Sequence, residues 1–365
     1  MKRALVLGCN GQTGSYLCEH LLAQGQTVHG MIRHSSSPRQ LWRIEPILDR
    51  LTLHEGDLTD YSSLDRIVRE VQPHEVFNLA DQDSVGYSQL VPLYSVQVTY
   101  GGVANLLEVV RRHDPVERAG GHLERVRVFQ PISATIFKPK EYWPIPPNDW
   151  GHREAWRPCN EETELDPQSP YAVAKTAAWH LCRHYRQKYG MHITCAIPFN
   201  HDSPRRNSGY LLGELARKAR LVASGKMEAV TVGSTDLRVD IGFAGEFAAA
   251  YIKLLELPEP TDCVLGTGLG IRIIDLADYA LTLASSGPPP EVEEWMRKSV
   301  SGHTGPKPSY KGLIDKVKVD ASLGSNRLVE LVADCAKARA LIGWGPEHNA
   351  LSVLRMLMEE RYASR

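Results

Sequence analysis

The sequence predicts an α/β fold, a doubly wound parallel sheet with a smaller C-terminal α/β lobe. Three observations predict it. A short apolar run at the start of the chain ends in a glycine-rich turn, Gly8–Gly14. Strand-like and helix-like stretches then alternate as far as Gln130. A strong helix start, Ser169-Pro170-Tyr171, follows a long irregular segment.

The elements justify the class in turn. Arg3–Leu7 is short and apolar, as a buried parallel strand is. Ser15–Gln24 places Tyr16, Leu17, Leu21 and Leu22 at helical spacing, and Gly25 ends that helix. Thr27–Ile32 is a second strand. Strand, glycine turn, helix and strand give a Rossmann-type dinucleotide fingerprint its context. Gly8 allows the tight turn, Gly11 lets backbone approach a pyrophosphate, and Gly14 lets helix and strand pack closely. Leu51–Glu55 is the third strand, Ser62–Val71 a helix and Glu75–Ala80 the fourth strand. Val96–Arg112 is a long amphipathic helix and Arg125–Gln130 the next strand. Two stretches, 138–167 and 285–311, are rich in Pro, Gly, Ser or Trp and read as long loops. The expected division is a nucleotide-binding domain of 1–199 with 235–265, and a substrate lobe of 200–234 with 266–365.

Composition excludes several classes of function. The 365 residues carry 42 Lys+Arg against 43 Asp+Glu, a formal net charge of −1. That balance argues against a broad surface for nucleic acid or an anionic membrane. No run approaches the ~18 apolar residues of a transmembrane helix, and the first residues lack the apolar core of a signal peptide. A cytoplasmic protein is expected. Seven cysteines without C-x-x-C spacing predict buried free thiols, neither a disulfide framework nor a zinc site.

The end of the second strand selects a cofactor. NAD sites usually place an acid there for the ribose 2′-hydroxyl. This chain has Arg33-His34-Ser35-Ser36, a guanidinium with hydroxyls, which suits a 2′-phosphate. NADP(H) is therefore favoured over NAD. Asp57 and Leu58, at the end of the third strand, are placed to lie beside the adenine.

The catalytic signal is Ser169-Pro170-Tyr171-Ala172-Val173-Ala174-Lys175. Tyr171 and Lys175 are i and i+4, one turn apart on one helix face. An ammonium beside the phenol, with a nicotinamide cation nearby, draws the tyrosine pKa down from about 10. Such a tyrosine can act as general base on a sugar hydroxyl. Ser133-Ala134-Thr135 brings hydroxyls to the end of the preceding strand.

With these residues in place, the chain resembles the extended short-chain dehydrogenase/reductases, and within them the GDP-mannose 4,6-dehydratases. The likeness also runs through Val28–Ser37, Gly56–Asp60, Pro198–Arg206, Gly242-Phe243-Ala244, Gly266-Thr267-Gly268 and Ala336–Trp344. It implies that Gly8, Asn10, Gly11, Gln12 and Thr13 line the NADP(H) site. Arg33, His34, Ser35, Ser36, Asp57, Leu58, Leu79, Ala80, Gln82, Tyr94, Lys175, His201 and Arg206 join them. It implies that Tyr171 is the base for oxidation at sugar C4 and that Lys175 holds the nicotinamide ribose. Ser133 takes the place of the family's threonine, and Ser84 and Asn200 touch substrate. A homodimer or homotetramer is implied by analogy.

The chain departs from the family at two places. The dehydratases carry T-x-E, whose glutamate removes the C5 proton and expels the C6 hydroxyl as water. Here that position is Thr135, whose hydroxyl has no useful acidity or basicity near neutral pH. Oxidation without elimination is expected, by a 4-epimerase or 4-oxidoreductase. A loop glutamate, Glu141, Glu154, Glu161 or Glu162, is the route by which a true dehydratase is kept as an alternative. A non-catalytic NADP-binding protein is the other.

At the substrate end, the family's Lys-Arg-Asp-Trp is Arg238-Val239-Asp240-Ile241 here. Its Arg-Lys pair falls near Gly213 and Glu214, and Ser325–Glu330 replaces R-P-T-E-V-D. Arg238 or Arg327 is left to meet a phosphate. The substrate is then a sugar on another nucleotide, or a nucleoside-like compound, more than GDP-mannose.

Overall fold

In the computed structural model the described residues are 2–34, 41–117, 123–138, 143–144, 154–155, 158–207, 209–234, 237–287, 290–292, 294, 312–320 and 331–359. Seven strands form one sheet: β1 (Arg3–Leu7), β2 (Thr27–Ile32), β3 (Leu51–Glu55), β4 (Glu75–Asn78), β5 (Arg127–Pro131), β6 (His192–Pro198) and β7 (Asp262–Leu265). Their order is β7-β6-β5-β4-β1-β2-β3. Pairing is parallel from β3 across to β6. The strand order reverses at β1, so the crevice beyond the carboxyl ends of β1 and β4 is where such a sheet binds its ligand.

The first unit comprises Met1–Lys138, Glu164–Pro198 and Ala244–Cys263. Its helices are α1 (Gln12–Ala23), α2 (Tyr61–Val71), α3 (Val85–Leu90), α4 (Pro92–Val96), α5 (Gly102–His113), α6 (Pro170–Tyr189) and α7 (Ala244–Leu255). β1 and β4 are buried almost throughout, as apolar runs covered on both faces must be. Phe77, Phe129 and Tyr251 lie fully buried in the core, with Phe129 stacked on Tyr251 at 4.4 Å between ring centroids. The helix expected over 96–112 starts at Pro92 and is interrupted by a π-helical turn, Gln97–Gly101. α6 begins where its sequence signal places it. Ser169 Oγ accepts from Ala172 N–H at 3.1 Å, Pro170 stands in the first turn, and Gly190 ends the helix at φ 64°.

The second unit comprises Pro139–Thr163, Phe199–Phe243 and Val264–Arg365. The helices Leu211–Ala223, Ile273–Ser286 and Ala350–Met358 supply most of its core, with Leu215, Leu276, Leu281 and Leu354 buried. Its other regular elements include the helix Ala336–Ile342 and four two-stranded pairs: Trp143–Pro144 with Glu154–Ala155, Asn200–Asp202 with Ile241–Phe243, Val230–Val232 with Val317–Val319, and Arg238–Val239 with Ile271–Arg272.

This division differs from the expected one at 139–163 and around 237–243. The reason is main-chain pairing. Cys159 N–H donates to Val332 O at 2.7 Å, and Asp334 N–H to Cys159 O at 2.8 Å. The strands at 238–239 and 241–243 pair with 271–272 and 200–202. All seven cysteines are buried free thiols. Among the described residues no helix is long and apolar enough to cross a membrane.

Candidate functional site

The glycine turn after β1 meets the segment after β4. Gly8 has φ +74°, and a Cβ there would stand 2.7 Å from Leu79 O and 2.9 Å from Ala80 N. Only glycine allows that conformation and that approach together. A Cβ on Gly14 would collide with Gly8 O, so Gly14 sets the contact between α1 and the turn. Gly11 is the N-cap of α1 and brings no side chain to it. The positive end of the helix dipole is left for an anion. Asn10 O accepts from Arg43 Nη1 at 3.3 Å, and the Arg43 guanidinium lies over the Trp42 ring. Neither Arg43 nor Trp42 was expected from sequence.

The carboxyl ends of β2 and β3 form the walls of a pocket of about 600 Å³, lined by Arg33, His34, Glu55, Gly56, Asp57, Asp60 and Ser63. Arg33 Nη1 donates to Tyr94 Oη at 3.0 Å, which joins two of the expected cofactor residues. His34 Nδ1 lies 3.2 Å from Glu55 Oε2. Asp57 Oδ1 accepts from Thr59 N–H and Thr59 Oγ1, which fixes the loop after β3. Leu58 is buried. The glycine turn and the bare helix end suit a dinucleotide, and Arg33, in a pocket that also carries Glu55, Asp57 and Asp60, is the guanidinium available to a ribose 2′-phosphate. Ser35 and Ser36 lie outside the described residues, as do Glu141 and Arg327.

The catalytic candidates gather on β5, α6 and the loop after β4. Ser133 caps a short 3₁₀ turn, Ala134–Ile136, its Oγ accepting from Thr135 N–H at 3.2 Å. Thr135 Oγ1 donates to the same oxygen at 2.9 Å. Tyr171 and Lys175 are buried in the first turns of α6, with Lys175 Nζ 5.7 Å from the Tyr171 ring centroid. The ammonium does not stand alone. It donates to Pro131 O at 2.8 Å and pairs with Asp81 Oδ2 at 2.7 Å. Asp81 Oδ1 accepts in turn from Thr99 Oγ1 at 2.6 Å and Gln82 N–H at 2.8 Å. Thr99 belongs to the π-helical turn. Such turns often sit at functional sites.

Two expected contacts look different in detail. Gln82 uses its amide on Ser84 N–H and Ser84 O in its own loop and on Ser95 Oγ of α4. Ser84 Oγ caps α3 by accepting from Tyr87 N–H at 3.1 Å.

The loop after Thr135 is tied at its neck. Lys138 N–H donates to Glu164 O, and Asp166 N–H donates to Ile136 O. In the second unit Glu161 Oε1 accepts from Val264 N–H at 2.7 Å. Glu162 is exposed, and the surroundings of the Glu154 side chain lie outside what is described.

The second unit holds His201, Arg206, Asn200 and Arg238. His201 Nδ1 lies 3.0 Å from Phe199 O, and burial pushes the imidazole pKa down to about 4. The ring is therefore neutral, with Nδ1–H donating. Burial raises Asp202 to about 6, against the pull of the Arg206 guanidinium. Arg206 stacks on the Tyr210 ring at 3.6 Å. Arg238 faces Arg272 across the antiparallel pair, and Arg272 is neutralised by Asp275. Asp240 is buried and accepts from the main chain of Thr267, Gly268 and Ala333 and from Thr267 Oγ1. It is a loop anchor.

Comparison with known proteins identifies the family. A family model described as GDP-mannose 4,6 dehydratase matches residues 5–357. The chain is 31% identical over 366 residues to a GDP-mannose 4,6-dehydratase of Sordaria araneosa, all of this chain against 61% of that one. It is 32% identical over 354 residues to a GDP-mannose 4,6-dehydratase of Sinorhizobium fredii, covering 95% of this chain and 92% of that one. Among solved structures, RMD from Pseudomonas aeruginosa, complexed with NADPH, shares the fold with a TM-score of 0.68. Sequence identity is 20%, and both chains are covered in full.

Proposed function

The chain belongs to the GDP-mannose 4,6-dehydratase family, and from that premise we propose that it oxidises a sugar hydroxyl, at C4, without removing water. The substrate is a nucleotide-linked or nucleoside-like sugar. The keto intermediate goes on to a 4-epimer or a reduced product. NADP(H) is the cofactor, held by the glycine turn, Arg33, Tyr94 and the residues after β3 and β4. One observation carries the reading: Thr135, at the position where the resemblance puts the family's glutamate, offers only a hydroxyl, which donates to Ser133 Oγ.

The chemistry follows from the side chains. Tyr171 takes the proton from the C4 hydroxyl, and Ser133 donates a hydrogen bond to the same oxygen. Lys175 orients the ribose beside Tyr171. NADP⁺, held by the residues named above, would supply the hydride acceptor for C4. Elimination then needs a second group that changes protonation near neutral pH, and threonine supplies none. Two glutamates near the loop are otherwise engaged: Glu161 on Val264 N–H, and Glu164 on Lys138 at 3.0 Å. Leu90 and Leu93, 78% and 84% exposed on α3 and α4, support a homodimer or homotetramer.

The names of the relatives favour a second reading, a 4,6-dehydratase with a relocated acid/base. Product analysis on a panel of nucleotide sugars separates the two. An isomer or a product changed by two hydrogens supports oxidation without elimination. A 4-keto-6-deoxy product lighter by one water overturns it.

A further inference from the structure

The carboxylate on Lys175 has no part in the reaction as read so far. Asp81 and Lys175 are 14% and 3% exposed, and their atoms are 2.7 Å apart. The carboxylate is fixed from two other directions, by the Thr99 hydroxyl and by the main chain of Gln82. The ammonium is fixed from β5 through Pro131 O. Four separate segments therefore hold one buried ion pair against the turn that carries Tyr171.

An isolated buried ammonium presents a full positive charge to a neighbouring phenol and favours its ionised form. A tight ion pair presents a dipole, and most of that field is lost. We propose that Asp81 is a positioning residue, pinning Lys175 and offsetting its charge so that Tyr171 keeps its proton to a more alkaline pH than a lone ammonium would allow. This rests on the reading of Tyr171 as the acid/base. It adds a direction to it: a tyrosine held as phenol is suited to returning a proton to a keto-sugar during reduction.

Other charges do not substitute for the pair. The elements packed against α6 carry Tyr87 on α3, Tyr94 on α4, Tyr100 in the π turn, Glu108 with its arginines and His113 on α5, and His192 and Cys195 on β6; His113 is bound to Asp65, and burial holds Cys195 as a neutral thiol. Tyr94 is bound to Arg33. Glu108 is spent on Arg111, Arg112 and Tyr185, toward the far end of α6, and Arg111 holds its carboxyl down at about 2.

The test needs no turnover. Protein labelled with ¹³Cζ-tyrosine is titrated by NMR without cofactor, and the Tyr171 signal is assigned by its loss in Tyr171→Phe. Asp81→Asn keeps the shape and removes the charge. Its Tyr171 titration is expected about one to two pH units lower, the effect of a unit charge several ångströms away at an effective dielectric of about 20. Asp81→Glu keeps the charge and is expected to stay near the wild-type value, whereas a merely structural role would move both variants alike. Should Asp81→Asn fail to fold, Asp81→Ser carries the same expectation. A Tyr171 titration unchanged or raised on removing the charge overturns the proposal. A downward shift in a protein that oxidises no sugar leaves the charge pairing standing and overturns the proposed function.

Discussion

Replacing Thr135 by glutamate adds the one group that water loss would need in the proposed site. Thr135 is partly buried in the 3₁₀ turn after β5, and its hydroxyl makes one bond, to Ser133 Oγ. Losing a bond between two neutral hydroxyls costs about 0.5–1.5 kcal/mol. The backbone bond from residue 135 N–H to Ser133 Oγ does not depend on the side chain and is retained. Against that small cost, a positioned acid/base contributes about 10²–10⁴-fold, or about 2.7–5.5 kcal/mol off the barrier. The balance predicts that Thr135→Glu folds and gains water loss by at least about 10²-fold over wild type. The assay is product mass spectrometry in deuterated water, which also reports exchange at C5. A variant that still oxidises sugar yet forms no dehydrated product refutes the reasoning. So does a wild type that already loses water as fast as the variant.

Three further outcomes follow from the same geometry. Arg33→Glu should weaken NADPH by about 10–100-fold, the worth of a charge-assisted phosphate contact, and NADH much less. Titration calorimetry with both cofactors checks this, and equal losses contradict it. His192 is pushed down to about 4 by burial, with the Arg127 and Arg186 guanidinium groups adding to it. The unfolded chain takes that proton below about pH 6.5, so the group's share of stability is lost as pH falls from 6.5 toward 4. His192→Gln should therefore lose less Tm than wild type between pH 7 and pH 5, and an identical loss contradicts the assignment. Leu93→Asp places a charge on an exposed apolar position of α4 and should lower the assembled fraction in sedimentation velocity, while wild type sediments as dimer or tetramer.

The readable parts of this fold share a physical cause. β1, β2 and β3 begin and end where the sequence places them: β1 is a short apolar run, β2 and β3 alternate apolar with polar residues, and glycine or polar residues bound all three. α6 was equally legible, since Ser169 and Pro170 act locally. The π-helical turn was not, because Gln97–Gly101 keeps helical periodicity while changing its hydrogen-bond register. Asp81 fell within the expected cofactor segment, but its role comes from partners on the π turn and α6, far away in sequence. The second unit was read as a lobe with few elements. Its core collects apolar residues from segments as distant as Leu212 and Leu354, and no local pattern announces that assembly.

The most direct test is the mass of what the wild-type enzyme releases. A panel of nucleotide sugars and nucleosides is incubated with NADP⁺ or NADPH in deuterated water, and each product is weighed intact. Oxidation without elimination predicts products that keep every carbon-bound oxygen, with an epimer at C4 or a change of two hydrogens. A dominant 4-keto-6-deoxy product, one water lighter than its substrate and carrying deuterium at C5, contradicts it.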